Sequence, residues 1–272
     1  MASAEARTAQ IAIIIDDLGG NQALGRRALK LPGKLTYAFL PFTASGPELA
    51  ERAYQLGKEV MLHLPMESLV ARPLGPMGLR MDMTREHVRK NIRAALASVP
   101  HVRGVNNHMG SLLTRHPGYM QWVMEEIKAM GDLYFIDSRT THHTVAEFIA
   151  VENAVPVRRR DVFLDNEQDI EAIRDQFQRL INKAMRQGSA IGIGHPYEST
   201  LAVLEEILPQ LADMNVRLVS ASELVYGFVP GNVLRQYLAA TPAIESGREI
   251  SEVEPFKSVD VGDLPVGTVP AI

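Results

Sequence analysis

The 272-residue chain contains no cysteine. That absence removes disulfides and thiolate metal sites, so any metal must be held by histidine and carboxylate side chains. Aromatic residues are scarce at 6%, with a single tryptophan, and basic residues barely cluster. The one arginine triplet, Arg158, Arg159 and Arg160, reads as a solvated strand entry. A formal net charge of −4 with no basic stripe does not support a nucleic-acid partner. No stretch reaches the roughly 20 apolar residues that a membrane helix needs. The first ten residues lack the apolar core of a signal peptide and are expected to form a disordered N-terminal segment.

What is present is a core-forming composition, 46% hydrophobic and 22% charged, ordinary for a chain with a sizeable interior. Short apolar, β-branched runs alternate with longer amphipathic stretches, which points to β and α units around a parallel sheet. The predicted strands are Ile11 to Asp16, Leu35 to Pro41, Glu59 to Leu64, Val102 to His108, Leu133 to Asp137, Asp161 to Leu164, Ala190 to His195 and Val216 to Val219. Eight such strands suit a (β/α) barrel. Helices are expected over Thr84 to Val99, Tyr119 to Met130, Gln168 to Arg186 and Ser199 to Met214, the second with proline before it and glycine after it. Pro73, Gly75, Pro76 and Gly78 break the rhythm and make Ser68 to Met83 a surface loop. Beyond residue 228 the composition turns polar and rich in glycine and proline, as in a C-terminal extension over 229–272 with a short helix near Leu234 to Ala239.

In parallel α/β architectures the loops at the carboxyl ends of strands surround one opening. Here the apolar runs end in Asp16 and Asp17, in His63, in Asn106, Asn107 and His108, in Asp137, and in His195. Adjacent carboxylates at a buried strand end repel unless a cation or proton shares the charge; otherwise one of the two caps a helix near Gly19 and Gly20. His63 sits in the apolar frame Val60 to Met66, where a neutral ligand is comfortable and a charged imidazole costly. Asn106, Asn107, His108, Gly110 and Ser111 put amides, an imidazole and a hydroxyl together. Asp137 either orients a catalytic neighbour or caps a helix. His142, His143 and Asp165 read as surface or supporting residues, and His87, His101 and His116 as solvated. Trp122, Met120, Met124 and Met130 fit a packed helix face, while Met77, Met81 and Met83 either pack their loop or line a groove. No Gly-x-Ser-x-Gly elbow is present, which disfavours a serine nucleophile.

The motifs Ile-Ile-Ile-Asp16-Asp17, Leu-His63-Leu-Pro-Met, Asn-Asn-His108-Met-Gly-Ser, Phe-Ile-Asp137-Ser and Gly-Ile-Gly-His195-Pro, in this order, resemble the divergent polysaccharide deacetylase family from about Ile11 to Tyr226. The resemblance implies a deformed (β/α) barrel of the glycoside hydrolase/deacetylase type over residues 11–228, a carbohydrate substrate, a divalent metal, usually zinc, and a periplasmic or exported setting. It makes Asp16 the base, Asp17 a metal ligand and His195 the general acid. His63 matches the first histidine of a His-x-x-x-His pair, but Glu67 stands where the second belongs, and His108 is the candidate to replace it. Asn106, Asn107, Asp137 and Ser111 would support the ligands or touch substrate. The expected activity is removal of N-acetyl or related acyl groups from a carbohydrate. A catalytically inactive metal-containing carbohydrate-binding or envelope protein, and an amidohydrolase acting on non-sugar amides, are the alternatives.

Overall fold

The computed structural model describes residues 8–227. Its central strand, β1 (Ala9–Leu18), has the run Ile11 to Ile15 without a polar position because both faces are covered. Alternation divides that run between two layers: Ile11, Ile13 and Ile15 join the outer core, while Ala12 and Ile14 pack inward with Ala38, Met61, Ile136, Ile191 and Ile193.

Around β1 stand β2 (Thr36–Phe39), β3 (Glu59–Met66), β4 (Val102–Met109), β5 (Tyr134–Asp137), β6 (Val157–Arg159), β7 (Val162–Phe163), β8 (Ser189–Gly194) and β9 (Val216–Leu218). All pairings are parallel, in the order β6-β5-β4-β3-β2-β1-β8-β7. Ile11 pairs with both Ala190 and Leu218, so β9 lies on the edge of β1 opposite β8. The sheet curls but ends at β6 and β7, giving a deformed, incompletely closed (β/α) barrel.

Three sequence expectations change here. β6 was unforeseen, because a three-residue strand containing two arginines presents no apolar run. The arginine triplet is also not uniformly solvated: Arg159 is exposed, but Arg158 and Arg160 are half-buried, and Arg160 donates from Nε to the Ser138 carbonyl (2.7 Å) and from Nη2 to the Arg139 carbonyl (2.9 Å). At the other end, β1 begins at Ala9, inside the segment expected to be disordered. The rest of that segment through residue 7, and the extension 229–272 with its helix near Leu234 to Ala239, lie outside the described residues.

The helices are α1 (Gln22–Ala28), α2 (Gly46–Gln55), α3 (Arg85–Ala97), α4 (Pro117–Ala129), α5 (Ala146–Glu152), α6 (Ile170–Gln187), α7 (Glu198–Ile207) and α8 (Ala221–Tyr226). α6 shows how the sequence sets its ends. Asp169 caps the first turn by accepting from the Glu171 and Ala172 N–H groups, and Gly188, at φ 85°, supplies the left-handed residue that stops it. Between them Ile173, Phe177, Leu180, Ile181 and Ala184 form the buried stripe, each large side chain contributing roughly 1.5–3 kcal/mol. α1 is capped by Asn21, which accepts from the Leu24 N–H, so neither Asp16 nor Asp17 serves as a cap.

α8 closes the end of the barrel where the strands begin. Ala221, Leu224 and Val225 enter the interior cluster, the Ala221 N–H donates to Thr36 Oγ1 (3.0 Å), and the Ser222 N–H donates to Glu59 Oε1 (3.1 Å). The loop after β3 packs down onto the barrel: Leu74 and Leu79 are buried, Leu79 within the outer core, Met81 and Met83 lie against that core, and Met77 is exposed.

Candidate metal and catalytic site

On four strands the inward column of side chains runs into a polar residue at the carboxyl end. Ala12 and Ile14 lead to Asp16, Met61 to His63, Gly104 to Asn106 and His108, and Ile191 and Ile193 to His195. Period two therefore aims these groups into one mouth. Asp17, by alternation, should face the helices. It does not, because its φ is 57° and the β1–β2 register shifts between Ile15 and Leu18.

The turn brings Asp17 Oδ1 to 3.2 Å from His63 Nε2 and 2.9 Å from His108 Nδ1. His108 Nδ1 and His63 Nε2 are 3.1 Å apart. Ligands held ~2.1 Å from one ion stand ~3.0 Å apart at right angles and ~3.4 Å apart in a tetrahedron, so this triangle fits a divalent cation touching all three. Asp17 Oδ1 is also buried without a hydrogen-bond partner, since neither imidazole approaches it with hydrogen-bond geometry. An orphaned carboxylate oxygen facing two imidazole nitrogens is a donor set made for a cation. Among the described residues Asp17, His63 and His108 are the one such group.

The neighbours orient this triangle. Asn106 donates from Nδ2 to Asp16 Oδ1 (2.8 Å), which leaves its Oδ1 to accept from His63 Nδ1 (2.7 Å). His63 is thereby fixed with its Nε2 lone pair toward Asp17. Asp16 Oδ2 lies 3.6 Å from that nitrogen. Burial raises the Asp16 carboxyl pKa, and the opposing pull of His63, His195 and Asn106 does not cancel it. Burial also acts to raise Asp17, but His108 and His63 more than offset it and hold that carboxyl well below the usual range. His63 is pushed up, burial being outweighed by Asp16 and Asp17.

His195 faces the triangle from β8, with Nε2 3.8 Å from Asp17 Oδ2. Its Nδ1 lies 3.0 Å from Asp165 Oδ1, while Asp165 Oδ2 accepts from the His195 N–H (2.5 Å) and from Thr200 Oγ1 (2.8 Å). Burial alone would lower the imidazole pKa; the Asp165 hydrogen bond and charge reverse this and push it up to about 9. Asp165 is thus a buried orienting carboxylate, and its place at the end of the short run Val162 to Leu164 was the signal in the sequence. Arg160, by contrast, was missed. It lies 5.0 Å from the Phe163 ring centroid, which in turn lies 5.4 Å from that of His195, and its charge is felt at Asp16.

Other expected residues are placed elsewhere. Asp137 points to the helix layer, accepting from the Arg139 N–H (2.8 Å) and Thr144 Oγ1 (2.9 Å), and so shapes the loop after β5. Asn107 ties the Met109 carbonyl to the Ser138 N–H, and Ser111 Oγ receives the Leu69 N–H. Glu67 accepts from the Met81 N–H (2.6 Å), so its carboxylate is engaged in the loop and is no part of the triangle. His142 and His143 are exposed on a loop with ring centroids 4.0 Å apart, His101 stacks on Tyr54, and His116 caps α4.

The model of the divergent polysaccharide deacetylases matches residues 13–225. The chain belongs to that family. Its relatives include YibQ of Escherichia coli K12, an uncharacterized protein 39% identical over 216 residues, 79% of this chain and 67% of that protein. An uncharacterized protein of Agrobacterium tumefaciens C58 shares the family's fold with a TM-score of 0.78 at 24% identity, over 82% of this chain and 92% of that one. The peptidoglycan deacetylase PdaC of Bacillus subtilis gives a TM-score of 0.50 at 18% identity, over 86% and 98%. Both structural likenesses concern the barrel alone. No helix among the described residues is long and apolar enough to cross a membrane.

Proposed function

We propose that this protein is a metal-dependent hydrolase that removes N-acetyl or related acyl groups from a carbohydrate. The observation that carries the reading is the convergence of Asp17 Oδ1, His63 Nε2 and His108 Nδ1 within 2.9–3.2 Å, with a buried carboxylate beside them and an aspartate-anchored imidazole opposite. These three would hold a divalent ion, zinc in this proposal, which when bound polarises an acyl carbonyl and acidifies water.

The chain's own residues supply the proton steps. Asp16, with its pKa raised by burial, accepts the proton of the attacking water. Asn106 keeps Asp16 Oδ1 engaged and so presents Oδ2 to the mouth. As the acyl C–N bond breaks, protonated His195 gives its Nε2 proton to the leaving amine, and the products are a carboxylic acid and a free amine. A pKa of about 9 keeps His195 in its acidic form at neutral pH. Asp165 holds the ring so that Nε2 faces inward.

Metal content of the purified protein, followed by acetate release from N-acetylated glycans with and without added zinc, tests the reading. Stoichiometric metal with zinc-dependent acetate release supports it. Bound metal without release from any glycan sinks it in favour of an inactive metal-binding relative, and release of amine from non-sugar amides alone points to an amidohydrolase of another class. The periplasmic or exported setting is part of the same proposal, and fractionation of cells carrying the native protein tests it.

A further inference from the structure

Aromatic residues make up only 6% of the chain, yet two of them stand against the His195 imidazole. Phe163 reaches it from β7. Val162 and Leu164, on either side of Phe163, lie in the outer core, and Phe163 pairs with Ile193 of the interior cluster, so its ring is on the inward side, 5.4 Å from that of His195. Tyr197 comes from the turn after β8. Its ring centroid is also 5.4 Å from that of His195, with the two planes inclined by 32°. Both aromatic rings are half-buried. Solvent reaches this corner of the mouth, since 14% of the His195 side chain and 32% of the Asp17 side chain are exposed.

The fold alone does not ask for a tyrosine at 197. The residue is the N-cap of α7, at φ −74° and ψ 151°, where serine, threonine, aspartate or asparagine would bond a free N–H of the first turn. The Tyr197 side chain makes no such bond. Its backbone does the local work: the N–H donates to the His195 carbonyl (2.8 Å) and the carbonyl accepts from the Leu201 N–H (2.9 Å), which any residue but proline could do. Among the described residues none bonds the phenolic hydroxyl. Burial pushes that hydroxyl's pKa up, and the charges of Asp165 and Asp17 add to the shift, which puts it within reach of the same mouth.

We infer that Tyr197 binds the sugar unit that departs with the amine: its ring packs on the apolar C–H face of the pyranose and its hydroxyl bonds to one of that sugar's hydroxyl groups, with Phe163 walling the same side. The inference rests on the glycan reading above. His195 hands its proton to the leaving nitrogen, so a group lying against the His195 ring on the open side meets the carrier of that nitrogen and not the acyl group. A phenol suits such a partner, flat and apolar along its body with a donor and acceptor at its tip.

The test uses Tyr197→Asn, which puts a capping side chain in place of the ring, and Tyr197→Phe, which keeps the ring and loses the hydroxyl. Two measurements are made: calorimetric binding of the β-linked glucosamine tetramer that deacylation would leave, and KM and kcat for acetate release from its N-acetylated parent. Tetramer binding should weaken about tenfold in Tyr197→Asn and about threefold in Tyr197→Phe, with matching rises in KM and kcat held within about twofold. Unchanged binding in both variants would overturn the inference. So would a loss confined to kcat together with a displaced alkaline limb of the pH–rate profile, for then Tyr197 acts through His195 and not on the sugar. Should Tyr197→Asn fail to fold, Tyr197→Phe decides alone. Wild-type protein that binds the tetramer without releasing acetate from the parent defeats the proposed reaction while leaving the Tyr197 comparison readable. Wild-type protein that binds neither defeats both.

Discussion

At the end of the barrel where the strands begin, Glu59 Oε1 collects three donors: Thr36 Oγ1 at 2.9 Å, Tyr134 OH at 2.8 Å and the Ser222 N–H at 3.1 Å. At the end where the strands finish, Asp17 Oδ1 collects none, although two imidazoles stand within 3.2 Å. The same side-chain chemistry is used to close one end and to keep the other available. A satisfied acid welds α8 to the sheet; an unsatisfied one, beside two imidazole nitrogens, makes a donor set that fits a cation. The comparison teaches that, in this fold, the position of the missing hydrogen bonds marks the working end.

The sharpest break of that contrast is His63→Ala, which removes one corner of the triangle. Bound metal should fall from one equivalent towards zero and deacylation by on the order of 10³-fold or more, with an unchanged far-ultraviolet spectrum. Elemental analysis and acetate release measure both. The next effect belongs to Asp165→Asn. His195 has a folded pKa raised to about 9, so its protonated form contributes stability that is complete below ~6.5 and fades as pH rises through about 9. Without the Asp165 charge, up to about 3 kcal/mol should be lost at neutral pH, and the alkaline limb of kcat/KM should move from near 9 towards ~6.5. Urea titrations and a pH–rate profile read these directly.

Glu59→Ala asks about the closed end, leaving three donors unpaired. It should cost about 2–3 kcal/mol in urea unfolding while kcat/KM stays within twofold; a large loss of activity there would erase the distinction between the ends. The smallest effect expected is that of Asn106→Ala, which frees the His63 ring from its fixed tautomer. Metal affinity measured against a chelator should weaken about 10–100-fold with the three ligands still in place.

Much of the mouth was legible because alternation is a local rule. Once Ile11 to Ile15, Val60 to Leu64 and Ala190 to Gly194 read as strands, Asp16, His63 and His195 fall on their inward faces at the same end. The barrel followed from the same runs. What the rule does not carry are contacts between distant segments: Asn106 reaches His63 across 43 residues, and Asp165 reaches His195 across 30. Arg160 hid inside a triplet of charges, since burial of a guanidinium depends here on carbonyls from the loop after β5. β6 and the short helices α1, α5 and α8 escaped because they owe their shape to packing more than to propensity. Asp137 misled in the opposite sense: it ends a strand as the others do, but its parity is odd and its carboxylate turns to the helices.

The left-handed backbone at Asp17 sets the terms on which a chain with this site could lose it. A non-glycine residue held at φ 57° carries roughly 1–2 kcal/mol of strain, and an uncompensated buried oxygen adds to the burden. Replacing Asp17 by glycine relieves both, so drift towards an inert barrel is downhill for folding. In the proposed function, an aspartate stands there for the cation that the assembled mouth would hold, at a position where the fold alone would rather have none.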